Sequence, residues 1–221
     1  MPSPLRKKDG KVEQEIAKYL DKYLYSRPPF DSSSRVLNAE EQLRGKDIIF
    51  SSKSLGIDKA IVDEKSSSHY VNKNIPTFAF ELSSLLDNGT EVEGWLTDIN
   101  KETQYYLLLW PYATVRDTNS TAPLFYEEDI TKVDYVLVKR ESVLRFLALK
   151  GFDKERLKKA VCYMRENVFT SEQQDELKKR YKEKVGFYFM ITRNLPETPV
   201  NVILYRKDIE NMALLKGTCL R

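Results

Sequence analysis

Two short apolar runs, each bearing an acid, constrain this chain more than any other feature. The first is Arg44-Gly45-Lys46-Asp47-Ile48-Ile49-Phe50, and the second is Lys59-Ala60-Ile61-Val62-Asp63-Glu64-Lys65. Both are rich in β-branched residues, and a polar stretch containing Gly56 joins them, so they read as paired strands. Along a strand, residues i and i+2 project from one face. Asp63 and Lys65 therefore point the same way, with Glu64 on the opposite face. If the runs pair as a hairpin, Asp47 reaches the same spot. Two carboxylates and an ammonium gathered at a strand end suit phosphodiester hydrolysis. The carboxylates bind a hard cation through oxygen, and the ammonium orients water or offsets phosphate charge.

Acid-x-Lys triplets also arise by chance in so charged a chain. Asp9-Gly10-Lys11 lies in a polar N-terminal stretch, and Glu176-Leu177-Lys178 lies in a run with helical character. On a helix, positions i and i+2 do not share a face. Only Asp63-Glu64-Lys65 closes an apolar run, and motif matches count only in their structural context.

On Asp47, Asp63 and Lys65 the chain resembles the PD-(D/E)xK nuclease superfamily, with Lys46 where the motif has proline. Ile61-Val62-Asp63-Glu64-Lys65, taken with Pro76-Thr77-Phe78-Ala79-Phe80-Glu81, is similar to uncharacterised bacterial and phage-associated proteins of that class. A gene carried on a mobile element fits that resemblance. It covers about the first half of the chain. It implies an α/β (α+β) fold, with a restriction-endonuclease-like core, a mixed, largely antiparallel sheet and flanking helices. It also implies a metal-dependent DNA endonuclease or exonuclease. Asp47 and Asp63 would bind Mg²⁺ or Mn²⁺, helped by the backbone carbonyl of Glu64, and Lys65 would sit near the attacking water.

Relatives in that class often add an acid from the first helix. Glu15 is the candidate by position, with Glu13 the lesser choice. Glu81 is a further candidate, because it could approach the metal or Lys65 if its strand neighbours the motif strand. Gln42, Ser66, Ser67 and His69 could contact water or phosphate. Each of these also reads as an ordinary surface residue. A non-catalytic nucleic-acid or protein-interaction module that retains the nuclease-like fold competes with the enzyme, because fold does not determine function.

Composition sets the outer bounds. A 41% hydrophobic share supports a real core, and a net charge of +3 permits DNA contact without demanding it. Cys162 and Cys219 match no metal spacing, and the single histidine, His69, weighs against zinc sites and a Ser-His-Asp triad. No Gly-x-Ser-x-Gly, Walker-type or dinucleotide-binding fingerprint occurs. The longest apolar run, Tyr105 to Trp110, is too short to span a bilayer. With no secretory signal, the expectation is a cytoplasmic, soluble protein that binds DNA and no membrane, with a homodimer compatible with the resemblance.

The pass along the chain predicts a frayed Met1–Lys11, then an amphipathic helix over Val12–Tyr25 ended by Pro28-Pro29. Asp31–Arg35 reads as a loop, and Val36–Arg44 as a further turn of helix. An antiparallel meander follows at Thr77–Ser83, Glu93–Asp98 and Thr103–Trp110, the last stopped by Pro111. Arg116–Glu128 reads as a polar loop and Asp134–Lys139 as a strand. Helices then cover Glu141–Leu149, Lys154–Asn167 and Ser171–Lys184. Strands at Phe187–Thr192 and Val200–Tyr205 and a closing helix at Asp208–Leu215 complete the reading. Two regions result: residues 1–139 as the nuclease-like core, and residues 140–221 as a helical segment with two late strands returning to the sheet. Trp95, Tyr105, Tyr106, Trp110 and Tyr112 read as sheet residues before base-stacking ones.

Overall fold

A computed structural model describes residues 4–116 and 123–221, with residues 4–9 as backbone alone. Residues 117–122 of the expected polar loop lie outside the described residues, as do residues 1–3 of the expected frayed end. The chain is mixed α/β and divides into two units. The first comprises residues 1–75, 103–139 and 213–221, and the second comprises residues 76–102 and 140–212. This division shares the 139/140 boundary with the sequence reading. It differs in grouping residues 76–102 with the helical region and the last nine residues with the motif.

The first unit starts with helix α1, Pro4–Tyr23. It begins well before the expected Val12, because nothing between Pro4 and Lys11 breaks a helix once tertiary packing fixes the following turns. Val12, Ile16, Tyr19 and Leu20 form its buried stripe. They pack on a six-stranded sheet through Ile48, Phe50, Val62, Leu107 and Leu109. The sheet contains β1 (Ser32–Arg35), β2 (Ile48–Ser52), β3 (Ile57–Ser66), β6 (Tyr105–Ala113), β7 (Ile130–Lys139) and β10 (Ala213–Leu220). They lie in the order β1-β2-β3-β6-β7-β10. The expected hairpin is present, since β2 and β3 pair antiparallel with Ile48 opposite Val62. The sheet is mixed and largely antiparallel, as expected.

Four local expectations are corrected here. Ser32–Arg35 is an edge strand on β2, not a loop. Its Ser-Ser-Ser-Arg sequence carries no alternation, so the neighbour's ladder imposes the conformation. The expected antiparallel strand over Thr103–Trp110 is parallel to the motif: β6 runs beside β3 with Asp63 opposite Tyr106. Pro111 does not stop β6, which continues paired to β7 through Ala113. The Pro111 carbonyl accepts from Asn72 N–H on the side away from β7, so its missing N–H also faces away from that ladder. The closing helix α6 is only Arg206–Asn211, and β10 follows it as the edge partner of β7.

The second unit carries a four-stranded sheet in the order β5-β4-β9-β8. Its strands are β4 (Thr77–Leu85), β5 (Glu91–Glu93), β8 (Tyr188–Ile191) and β9 (Val200–Tyr205). The expected strand over Glu93–Asp98 does not form: β5 ends at Glu93, and a turn follows over residues 95–97. The two late strands pair with β4 here and do not join the motif sheet. Helices α3 (Arg140–Leu149), α4 (Lys154–Asn167) and α5 (Ser171–Val185) fall where periodicity places them. Asp153 caps α4, and Thr170, one residue before the expected Ser171, caps α5 through a reciprocal bond with Gln173. Phe152, Tyr181, Phe187 and Phe189 form an edge-to-face aromatic cluster.

Candidate active site

The hairpin sets the site's first contact. Asp47 precedes β2, with its N–H donating to the Val62 carbonyl at 2.9 Å and its own carbonyl accepting from Val36 N–H at 2.9 Å. Both backbone groups are thus fixed, and the side chain turns toward β3. There Asp47 Oδ2 accepts from the Glu64 N–H at 2.7 Å. The approach to Asp47 requires Gly45, whose φ is +78°. A Cβ at that position would run into the Thr103 hydroxyl and come within 3.4 Å of Asp63 Oδ2. Thr103, itself buried, donates to the Gly45 carbonyl at 3.0 Å.

Asp63 lies on β3 with only 2% of its surface exposed. Lys65 Nζ meets Asp63 Oδ1 at 2.5 Å, as the shared strand face requires. The two acids interact directly. Burial, the neighbouring Asp63 charge and a hydrogen bond with Asp63 push the Asp47 carboxyl up to about 8, against the opposing pull of Lys65. Burial acts to lower the Lys65 pKa, but the Asp63 and Asp47 charges outweigh it and hold the ammonium above its ordinary value. A like charge in a poorly solvated place disfavours ionisation of a carboxyl, and opposite charges favour that of an ammonium.

Glu64 points to the α1 side of the sheet. Its Oε1 accepts from the Tyr25 hydroxyl at 2.7 Å, and its Oε2 accepts from Arg35 Nη1 at 2.8 Å. Arg35 also donates to Asp21 from Nε at 2.8 Å and from Nη2 at 2.7 Å. The Glu64 carboxylate is therefore committed to a partly buried network that ties β3, β1 and α1 together. Only its backbone remains for the role assigned from sequence.

A cleft of 620 Å³ opens between α1 and the strands. Asp47, Glu64, Lys65 and Ser66 lie along one wall, and Glu13 and Gln14 line the α1 wall. The two helix acids are thereby reversed relative to the sequence reading. Glu13 lines the cleft and its charge acts on Lys65. Glu15 faces elsewhere: its Oε1 accepts from Lys18 at 2.6 Å, and its Oε2 accepts from the Glu127 N–H at 2.9 Å.

The strand that carries Glu81 does not neighbour the motif strand. The condition for its role was that its strand neighbour the motif strand. Instead β4 lies in the second unit's sheet, where Glu81 stands opposite Asn201. Gln42 lines the cleft, with its amide donating to the Val36 carbonyl at 2.8 Å. Ser67 turns back to the Leu109 carbonyl, while exposed His69 lies in the following 3₁₀ turn. Ser66 differs from both: its hydroxyl is buried without a hydrogen-bond partner among the described residues. Tyr106 and Trp110 are buried in the sheet, so neither offers a stacking face.

Asp47 and Asp63 are the residues able to hold a hard cation. Among the described residues, no group of three or more His, Cys, Asp or Glu side chains is gathered as a metal cage. Two carboxylates nevertheless suffice for Mg²⁺, which keeps several waters and shares its remaining positions with phosphate oxygens. The raised Asp47 carboxyl, held up by burial and by the Asp63 charge, is one that a cation would relieve. No helix among the described residues is long and apolar enough to cross a membrane. No family model, curated protein or solved structure matches the chain.

Proposed function

We propose that the first unit is a metal-dependent nuclease with a restriction-endonuclease-like core, hydrolysing DNA phosphodiester bonds as an endonuclease or exonuclease. One observation carries this reading: Asp47 and Asp63 meet at the mouth of the hairpin, and the Lys65 ammonium lies on Asp63 at the edge of an open cleft. Mg²⁺ or Mn²⁺ bound there would supply Lewis acidity and a hydroxide nucleophile at neutral pH. Asp47 and Asp63 would hold the cation, with the Glu64 backbone beside them. Lys65 would release Asp63 to the cation and turn toward the attacking water or a phosphate oxygen. In a partly dehydrated site that charge acts far more strongly than it would in bulk water. Glu13, on the facing wall, would be the helix acid of the set.

A second reading is a DNA-binding module without catalysis. The closed Lys65–Asp63 pair favours it, since that pair satisfies both groups with no cation. One experiment separates the two readings. The full chain is incubated with linear, supercoiled, single-stranded and branched DNA in Mg²⁺, Mn²⁺ or EDTA, beside Asp63→Asn. Metal-dependent cleavage that disappears in the variant supports the nuclease. Retarded bands without cleavage support the binding module. Neither cleavage nor retardation would overturn both.

A further inference from the structure

The second unit gathers positive charge that its stability does not require. Between Lys178 and Lys184, in the C-terminal half of α5, five of seven residues are basic and one, Glu183, is acidic. The helix dipole favours cations in the last turn, which accounts for Lys182 and Lys184 but not for Lys178. Lys178 and Lys182 stand four apart on one helix face, where like charges destabilise a helix. Both lie over the same ring, each ammonium 5.2 Å from the centroid of Tyr188 on β8. Lys182 is also 5.8 Å from the ring of Tyr205 on β9, and Lys207 of α6 lies 5.8 Å from that ring. Two helices thus bring three ammoniums onto two tyrosines of adjacent strands.

Acids do not neutralise this group. Among the described residues, Lys178, Lys182 and Lys207 make no ion pair. Asp175 and Glu176 precede Lys178, and Glu183 and Asp208 follow Lys182 and Lys207, yet none of these acids pairs with them. The Glu210 carboxylate is taken by Arg206 at 2.8 Å.

The lysines border an open surface. Tyr188 stands opposite Ile203, and Tyr205 follows two residues along β9, so both tyrosines share one sheet face. Thr77, Ala79 and Glu81 of β4 lie on that face, opposite Tyr205, Ile203 and Asn201. Ala79 is exposed although β4 is an interior strand, so the face is open there. Phe78, Phe80, Val202 and Leu204 point the other way and are buried. Glu81 is the acid of the open face, at the end away from Tyr205.

A phosphate backbone fits this arrangement, because it supplies a row of negative charges and asks for no acid in return. Tyr188 is only 9% exposed beneath its lysines, so it offers no platform for a base, and the contact is with phosphates. A membrane surface calls for apolar side chains beside the lysines. The face presents Thr77, Ala79 and Asn201 instead, with no large apolar side chain exposed on it.

We propose that this face of the second unit binds the DNA backbone, with Lys178, Lys182 and Lys207 each meeting a phosphate and no sequence being read. That the polyanion is DNA rests on the nuclease reading. The test titrates the full chain in EDTA into a short fluorescein-labelled duplex over a range of salt concentrations. Wild type is compared with Lys178→Gln/Lys182→Gln/Lys207→Gln and with Lys150→Gln/Lys154→Gln/Lys159→Gln, which removes the same charge from exposed positions of the same unit. The first variant should bind at least about tenfold more weakly, with the plot of log Kd against log salt flatter by about 2–3, since each phosphate contact contributes about 0.9 to that slope. The second should bind within about twofold of wild type, and both should melt like wild type. Lys207→Gln alone lies outside α5 and should flatten the slope by about 1, which keeps the test decisive if the triple change weakens that helix.

Equal losses in the two triple variants would reduce the effect to net charge and overturn the proposal. So would wild-type binding by the first variant, or binding to phosphatidylserine vesicles with none to DNA. Metal-dependent cleavage with DNA binding untouched by the lysine changes would sink this inference alone. Lysine-dependent DNA binding without cleavage in any metal would sink the nuclease reading and leave the surface in place.

Discussion

The two units differ in which charges they bury. In the second, no acid among the described residues is fully buried: Lys158 reaches Glu93 at 3.3 Å near the surface, and the enclosed Arg165 donates to Thr198 and Ser83. That unit is organised by its aromatic cluster and by helix caps. In the first unit, charge is taken into the fold. Asp63 is buried, Glu64 and Arg35 pair behind it, and Lys65 sits on Asp63. Burying charges costs several kcal/mol per ion unless they are paired and hydrogen-bonded. A fold that needed only stability would gain more from apolar residues there, so the first unit's charges are where function should be sought. Perturbed ionisable groups beside a cleft mark candidate sites by the same logic.

The largest effects should sharpen this contrast. Phe189 is 1% exposed within the aromatic cluster, and Phe189→Ala should destabilise the second unit by about 3–5 kcal/mol through the cavity it leaves. Arg35→Met should cost the first unit less, about 1–3 kcal/mol, because it leaves the partly buried Glu64 carboxylate with Tyr25 as its remaining donor. The double variant Arg35→Met/Glu64→Met should recover most of that loss, whereas no second charge change rescues Phe189→Ala. Thermal melting of all three decides the matter. An Arg35→Met protein as stable as wild type would mean the network is loosely solvated and the contrast false.

A smaller effect depends on pH. The Asp47 carboxyl is raised from 3.8 to about 8 in the metal-free fold. Between those values the folded protein holds a proton that the unfolded chain has lost, so stability falls as pH rises through this window and levels off above it. Asp47→Asn never ionises. It should therefore melt like wild type at about pH 4 and above wild type near pH 9, both in EDTA. A stability difference independent of pH would show that the Asp47 carboxyl is not raised. The smallest effect belongs to the second unit, where Thr170→Ala should cost about 1 kcal/mol by removing the α5 cap.

How much of this could be read from sequence follows from which signals are local. The β2–β3 pairing was legible because both runs are apolar and β-branched, and period-two geometry alone places Lys65 with Asp63. Helix α4 was legible to the residue because Asp153 is a cap. The β1 edge strand was not, since three serines and an arginine follow no pattern and only the β2 ladder makes them a strand. The sorting of β4, β8 and β9 into a separate sheet depends on long-range pairing that periodicity does not encode. The choice between Glu13 and Glu15 shows the limit most clearly. With about 100° per residue, the two acids flank the Ile16–Tyr19–Leu20 stripe on opposite sides. Which flank meets the motif depends on how α1 lies across the sheet, and the sequence does not state that. Arg35 and Tyr25 were missed for the same reason, because their partner Glu64 is remote in sequence.

The central claim is that the Asp47, Asp63 and Lys65 constellation is chemistry and not a satisfied surface pair. It is tested most directly by the DNA cleavage rate of Lys65→Ala against wild type in Mg²⁺, with the melting temperature of each recorded alongside. The account predicts a rate lower by about 10²–10³-fold in a protein that still folds. Wild-type-like cleavage by Lys65→Ala would contradict it.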